Sequence, residues 1–355
     1  MKIIHVHPSS RMGNIFVKPL VDFEKSIGHE SHLISFNRNS RNQNTFFDLR
    51  LTSPRMFIDA LRFLVFLKKQ KPDIIFCHNS TQAIIPLIIS NIIKVKKVIY
   101  FNHGITYLGY TGLLKYLFFQ LEKSNAFFSD VTITVSPYMK KVLDKIKPNS
   151  KLIYNGSACG IKIEKTDINI EKLGNLSKKH IVVSFLGRLH IRKGINVLKK
   201  ILDHFNNSDE IKFQFFGFTD EQFYNFSKIK YKNLKCFGFV EDVSIHLKKS
   251  NILILPSLHE GLSYSILEGM LYQNLIMANN VDGMNNLIKN GYNGFLISNN
   301  NYQMYIALIN DYINNKLNYK KILKNSFIVL KKYDRPNFMQ HYSKFLNKME
   351  KTLLF

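Results

Sequence analysis

The strongest constraint on the fold lies between Asn251 and Met270. Asn251-Ile252-Leu253-Ile254-Leu255 is a short, almost wholly apolar run stopped by Pro256, the pattern of a strand buried on both faces. After the loop, Leu262, Ile266, Leu267 and Met270 recur at helical spacing. The stretch therefore reads as strand, loop and helix, with Gly261 near the helix start. Such a start offers backbone N–H groups and the positive end of a dipole, a natural seat for a phosphate. Glu260 stands in the loop, and Glu268 follows about two turns later on roughly the same face. A carboxylate there suits the vicinal hydroxyls of a ribose or hexose, while the N–H groups of the helix start suit the phosphates. Together they fit a nucleotide sugar. The plainer alternative is an ordinary strand–helix connection with two solvated glutamates.

The same alternation runs through the chain. Lys2 to Val6 is a β-rich run ending at Pro8, followed by a Met12-Gly13-Asn14 loop and a helix over Ile15 to Ile27 with Gly28 as its C-cap. Ser31 to Phe36 is the next strand, so the chain opens as a βαβ unit with a glycine in its first loop. Asn37 to Thr52 is polar and irregular. Pro54 to Lys71 reads as an amphipathic helix ended by Pro72, with Phe57, Leu61, Leu64, Val65 and Leu67 apolar and Arg55, Arg62, Lys68, Lys69 and Lys71 basic. Its basic face is solvated, and it also suits an anionic lipid surface.

Asp73–His78, Lys97–Phe101 and Val131–Ser136 read as strands, and Ala83–Ile93 and Leu113–Asn125 as helices. Ser136-Pro137 supplies an N-cap and first residue for a further helix, and Leu152 to Gly156 is one more strand and turn. The charged stretch Glu164 to Lys179 lacks core periodicity and reads as an interdomain linker. Beyond it the alternation resumes with His180–Leu186, Asn196–Phe205, Lys212–Phe216, Ile252–Leu255, Leu275–Ala278 and Gly294–Ile297. Two such halves predict an α/β protein of two doubly wound domains facing a cleft. The tail after Asp334 is helical and basic.

A chain of 355 residues exceeds one ordinary core, and its 45% hydrophobic content is that of a globular protein. Cys77, Cys159 and Cys236 are few and set among apolar neighbours, which predicts reduced thiols in the cytoplasm, without a disulfide framework or a zinc site. The N-terminal apolar run is too short for a signal peptide. Ala83 to Ile93, the longest apolar candidate, is interrupted by Pro86 and Asn91, so no transmembrane helix is expected. The formal charge of +25 calls for an anionic partner. The basic residues are spread along the chain and no nucleic-acid-binding motif appears, so the inner face of the membrane is favoured over nucleic acid. Part of the charge also reflects a composition rich in Lys, Asn and Ile and lacking Trp.

Two further stretches carry chemistry. Phe185-Leu186-Gly187-Arg188-Leu189, followed by Arg192-Lys193-Gly194, sets cations at the end of a strand. Arg presents a planar fork to phosphate oxygens and Lys a point charge, so Arg188 and Lys193 suit a diphosphate; a solvated basic turn is the alternative. Asn102-His103-Gly104 lies at the C-terminal end of another strand, where open α/β sheets gather ligand groups. The aromatic run from Tyr107 to Gly112 after it suits stacking against an acceptor sugar. No Asp-x-Asp, metal-ligand spacing or P-loop occurs.

Taken in order, Asn102-His103-Gly104, Gly187-Arg188-Leu189…Lys193-Gly194, Phe215-Phe216-Gly217, Phe237-Gly238-Phe239-Val240, Glu260-x7-Glu268 and Asn290-Gly291-Tyr292-Asn293-Gly294 resemble the motifs of glycosyltransferases of the GT-B fold, family 4, across nearly the whole chain. The resemblance implies an acceptor-binding domain over residues 1–163, a nucleotide-sugar domain over 164–335, and a last helix over 336–355 that returns to the first domain. It implies a retaining, metal-independent hexosyltransferase, with a UDP-sugar donor and a lipid-linked saccharide acceptor, working in bacterial surface polysaccharide synthesis at the cytoplasmic membrane face. By resemblance, Arg188 and Lys193 hold the donor diphosphate, Glu268 the ribose, and Glu260 and His103 the donor sugar. Gly13, Gly187, Gly217, Phe239, Gly261, Leu262 and Ser263 line the donor site. Two positions depart from the pattern: Ala158, where an acidic residue is common, and Asn286, where Glu is usual in the loop after Asp282-Gly283. The residues leave open another GT-B enzyme on a soluble sugar, and a non-catalytic basic scaffold for anionic lipid or polysaccharide.

Overall fold

The computed structural model describes residues 1–36, 47–164, 180–299, 301–316 and 318–353. The chain forms two compact units, one of Met1–Gly160 with the segment from Arg335 onward, the other of Ile161–Asp334. The stretch read as a linker lies, from residue 165, outside the described residues, as do residues 37–46 of the polar segment.

The first unit is built from β1 (Lys2–His7), α1 (Ser10–Phe16), α2 (Lys18–Ser26), β2 (Glu30–Ser35), α3 (Met56–Gln70), β3 (Ile74–His78), α4 (Ile84–Ile92), β4 (Lys97–Asn102), α5 (Gly112–Phe127), β5 (Val131–Thr134), α6 (Pro137–Asp144) and β6 (Ser150–Leu152). Its parallel sheet runs β2-β1-β3-β4-β5-β6, so the strand order reverses beside β1 and β3. Side chains alternate across each strand. Ile4, Val6, Ile75, Cys77, Val98 and Tyr100 face a core completed by Phe63 and Leu67 of α3 and Leu87 of α4.

Three local readings are corrected. Ser9 caps α1 by accepting from the Met12 N–H, so the helix starts early and Gly13 lies inside it rather than in the loop. The expected helix over Ile15–Ile27 is two helices divided at Val17, with Pro19 in the first turn of the second. The expected strand at Leu152–Gly156 lies earlier, over Ser150–Leu152, because Tyr154 and Gly156 take left-handed backbone angles of φ 53° and 98°. Ser136 and Pro137 do begin α6, with the Ser136 hydroxyl accepting from the Met139 N–H.

The second unit contains β7 (Ile181–Leu186), α7 (Ile195–Phe205), β8 (Ile211–Phe216), α8 (Asp220–Ser227), β9 (Leu234–Cys236), α9 (Ser244–Leu247), β10 (Ile252–Leu255), α10 (Tyr264–Leu271), β11 (Leu275–Asn279), β12 (Phe295–Ile297), α11 (Tyr302–Ile313) and α12 (Tyr319–Leu330). The sheet runs β12-β11-β10-β7-β8-β9, all parallel, and reverses between β7 and β10. The apolar run before Pro256 forms β10, as its pattern requires. Ile252 and Ile254 enter one core with Phe185, Phe213, Leu198 and Tyr305, while Leu253 and Leu255 enter the other with Phe216, Ile266 and Met270. Helices therefore cover both faces, and each such side chain contributes about 1.5–3 kcal/mol by leaving water.

The last helix, α13 (Arg335–Leu353), belongs to the first unit. Its Tyr342, wholly buried, donates its hydroxyl to Glu24 of α2 at 2.5 Å.

Candidate active site

In open parallel sheets, ligands gather beyond the carboxyl ends of the strands where the order reverses. In the second unit that point lies between β7 and β10, and most of the predicted site residues stand there. β7 is followed by Gly187, whose N–H donates to the Phe216 carbonyl of the neighbouring strand at 3.0 Å. Gly217 follows β8 with φ +109°, and a Cβ there would stand 2.3 Å from the Gly187 carbonyl oxygen. These two glycines bring adjacent strand ends into direct backbone contact. Arg188 follows with an exposed side chain and has no salt-bridge partner among the described residues.

A short 3-10 turn over Ile191–Lys193 then leads to Gly194, which opens α7 at φ +73°. A Cβ on Gly194 would lie 2.0 Å from the Pro256 carbonyl oxygen, so the turn sits against the end of β10. The Leu258 N–H donates to the Arg192 carbonyl at 2.8 Å. This packing brings Lys193 to Glu260, with Nζ 2.5 Å from Oε1 and both groups mostly shielded from water. The two loops are thus tied by main chain and side chain together.

From Glu260 the chain passes through buried Gly261 and Ser263 into α10. Ser263 stands at the N-cap but its side chain makes no capping bond. Gly283, in the loop after β11, is held at φ +87°, where a Cβ would be 2.4 Å from the Glu260 carbonyl oxygen. Leu262 is partly buried against the apolar core under α10. Gly269 lets the helix approach the sheet, since a Cβ there would meet Leu253 at 2.5 Å and Ile276 at 2.7 Å. That approach sets the position of Glu268 beside it. Burial, and then the negative charge of Asp242, push the Glu268 carboxyl up to about 7. Among the described residues its side chain has no hydrogen-bond partner. Phe239, beyond β9, is 44% exposed at the same end of the sheet. Asn279 braces this end by donating to the Pro256 carbonyl at 2.9 Å and accepting from the Tyr305 hydroxyl at 3.0 Å.

Asn286, the departure from the expected Glu, is half-buried, and its amide nitrogen finds no acceptor. A groove of about 770 Å³ lined by His180, Asn206, Lys212 and Lys235 lies at the N-terminal ends of β7 and β8 and holds none of the residues above.

In the first unit, His103 and Gly13 stand at the carboxyl end of the sheet. His103 stacks on Phe101 at 4.8 Å and on His78 at 5.2 Å. The Asn102 carbonyl side chain accepts from the Gly104 N–H at 2.7 Å and so shapes the turn around His103. Asn102 is held in turn by wholly buried Glu122, which also accepts from Tyr100 and Ser80, each at 2.7 Å. Burial raises the Glu122 carboxyl from its ordinary value. Gly13 packs against Leu33 and His7, where a Cβ would be 3.3 and 3.6 Å away. It is a packing glycine of α1.

The sequence reading singled out His103 but passed over His5, His78 and Glu24, all buried and joined to it by hydrogen bonds. A signal was present: a histidine inside an otherwise apolar strand must find a buried partner.

Two family models match the chain, "Glycosyltransferase Family 4" over residues 25–157 and "Glycosyl transferases group 1" over residues 166–327. With the two doubly wound sheets and the residues at their carboxyl ends, they define a glycosyltransferase. The chain is a GT-B glycosyltransferase of the family 4 type. It is similar to the Escherichia coli UDP-Gal:alpha-D-GlcNAc-diphosphoundecaprenol alpha-1,3-galactosyltransferase, 27% identical over 294 residues, covering 76% of this chain and 75% of that one. Among solved structures, Thermosynechococcus elongatus sucrose-phosphate synthase shares the fold with a TM-score of 0.79 at 13% identity, covering 99% of this chain and 100% of that one. Anabaena HepE in complex with UDP-glucose shares it with a TM-score of 0.72 at 17% identity, covering 98% and 100%.

Proposed function

We propose that the protein transfers a hexose from a UDP-sugar, with retention of configuration, to a lipid-linked saccharide at the inner face of the membrane during surface polysaccharide synthesis. The observation that carries this reading is the pairing of Lys193 with Glu260 at the β7/β10 reversal, with Arg188 on the loop before Lys193 and Glu268 on the helix that follows Glu260. Arg188 and Lys193 stabilise the charge that grows on the departing diphosphate, aided by the start of α10. The Glu268 carboxylate, with no hydrogen-bond partner among the described residues, accepts from the ribose hydroxyls. Glu260 aligns Lys193 and orients the donor sugar. With these cations supplying positive charge to the leaving group, transfer needs no metal ion. The uridine nucleotide is favoured by the substrate named for the E. coli relative and by the ligand of the HepE structure.

Membrane association is supported by the surface of the first unit. Phe57, Ile58, Leu61 and Val65 of α3 are each at least 64% exposed, so the amphipathic helix expected from the sequence turns much of its apolar side outward. Only Asp59, Phe63 and Leu67 are its buried residues. The first two turns of α5 expose Leu113, Leu114, Tyr116 and Leu117, with Lys115 among them. Apolar side chains flanked by Arg55, Arg62, Lys68 and Lys69 suit insertion at an anionic lipid surface. No helix among the described residues is long and apolar enough to cross a membrane. The test is incubation of the enzyme with UDP-hexoses and lipid-linked acceptors. Release of UDP coupled to a product whose anomeric proton keeps the donor's configuration supports the reading; an inverted product, or no release, contradicts it.

A further inference from the structure

A chain of buried hydrogen bonds runs from α13 to His103. The Glu24 carboxylate accepts from Tyr342 and Ser31 hydroxyls, each at 2.5 Å, and lies 3.0 and 3.1 Å from His5 Nε2. His5 Nδ1 is 2.9 Å from His78 Nε2, and His78 Nδ1 is 2.9 Å from His103 Nε2. His5, His78 and Glu24 are at most 1% exposed. The register of β1 on β3 sets His5 opposite Phe76, and that of β3 on β4 sets His78 opposite Phe101. Alternation then puts all the linked rings on one face of the sheet, stacked on one another.

The chain has a direction because its far end accepts only. Two hydroxyls and the His5 ring nitrogen converge on the Glu24 carboxyl at hydrogen-bonding distance, a set of donors that favours its ionised, accepting form. An ionised carboxylate has no proton to give. His5 therefore donates from Nε2, which leaves His5 Nδ1 to accept from His78 Nε2. His78 Nδ1 then accepts from His103 Nε2. With no extra proton in the chain, His103 is left with its proton on Nε2 and a bare lone pair on Nδ1. Burial keeps the rings of His78 and His103 neutral, the latter lowered to about 3, so the tautomer governs what His103 offers.

We propose that Glu24, His5 and His78 are positioning residues that fix the tautomer and ring plane of His103, presenting Nδ1 as a hydrogen-bond acceptor for a hydroxyl of a sugar bound at the carboxyl end of this sheet. The proposal rests on the sugar-orienting role read for His103, but its primary test does not. An orienting group that sets the wrong tautomer can cost orders of magnitude in turnover while geometry survives.

The experiment is long-range ¹H–¹⁵N NMR of histidine side chains on the full chain without nucleotide, with His103 assigned by its loss in His103→Asn. An unprotonated Nδ1 and protonated Nε2 are expected. A protonated Nδ1 overturns the proposal, since the chain would then carry an extra proton and run in the opposite sense. The second arm is His78→Phe, which keeps the ring stack and removes the link. Turnover is expected to fall about tenfold or more, the scale of one lost oriented hydrogen bond, with UDP affinity unchanged. Unchanged turnover together with a retained His103 tautomer would overturn the proposal. If wild type binds no nucleotide diphosphate at all, the transferase reading fails, while the wild-type NMR result still decides the relay.

Discussion

Lys193 and Glu260, 67 residues apart in sequence, form one ion pair at 2.5 Å where two strand-end loops meet. Each is a group the sequence assigns to the donor, and each is the other's partner in the structure. The pair keeps two partly buried charges satisfied while holding the lysine ammonium at a defined place. It also makes the roles separable. Glu260→Gln removes a negative charge next to the diphosphate site, so UDP binds at least as tightly, while turnover falls because the sugar loses its acceptor. Lys193→Met weakens UDP binding by about 1.5–3 kcal/mol, the range for hydrogen bonds to charged groups. Calorimetry alongside steady-state kinetics checks the split; equal losses of affinity in both variants would contradict it.

Glu268 makes nucleotide binding depend on pH. Its carboxyl sits at about 7 in the free protein, through burial and then Asp242, and ribose hydroxyls donating to the carboxylate favour the ionised form. Binding therefore releases a proton on the acid side of that value and weakens as pH falls. From pH 8 to pH 6 the loss attributable to this group is about tenfold. Titration of UDP into wild type and Glu268→Gln at both pH values checks it, because the nucleotide's own ionisation is common to the two. The same raised carboxyl opposes folding above its ordinary value of 4.5, so Glu268→Gln gains stability relative to wild type as pH rises from 4.5 through 7.

Gly194 is required by shape. Its φ is +73°, and a Cβ added there would stand only 2.0 Å from the Pro256 carbonyl oxygen, which leaves no room for a side chain. Gly194→Ala is expected to destabilise the protein by about 1–3 kcal/mol, the range for backbone held in unfavourable regions, and to separate Lys193 from Glu260. Denaturant unfolding measures the first effect and UDP affinity the second.

Lipid binding is expected to depend on the apolar patch more than on charge alone. Leu61→Glu combined with Leu113→Glu, both at exposed positions, removes flotation with anionic liposomes while leaving UDP affinity and folding unchanged. Retained flotation of the double variant at moderate salt would assign the interaction elsewhere.

Much of the fold was readable because the strands are short apolar runs bounded by turn residues. Ile252 to Leu255 had to be covered on both faces, and it is. Ser136-Pro137 marked a helix start correctly because both residues act locally. Gly13 was misplaced because Ser9 caps the helix before it, a choice between two nearby starts that composition does not decide. The Thr219–Gln222 capping box of α8 was a visible pattern left unused. The relay was hidden for a different reason. Residues 5, 24, 78, 103 and 342 meet through the register of β1, β3 and β4 and through the return of α13, none of which has a local signature. Likewise the outward apolar side of α3 depended on which arc faces the sheet, and a helix apolar over most of its circumference does not announce that arc.

The β7/β10 end of the second unit, on this reading, is a nucleotide-sugar site. Calorimetric titration with UDP, GDP and ADP, with and without EDTA, on wild type and Glu268→Ala tests it most directly. UDP is expected to bind with an affinity that EDTA does not alter, GDP and ADP to bind more weakly, and Glu268→Ala to weaken UDP binding. Absence of binding by all three, or UDP binding unaffected by loss of Glu268, would contradict it.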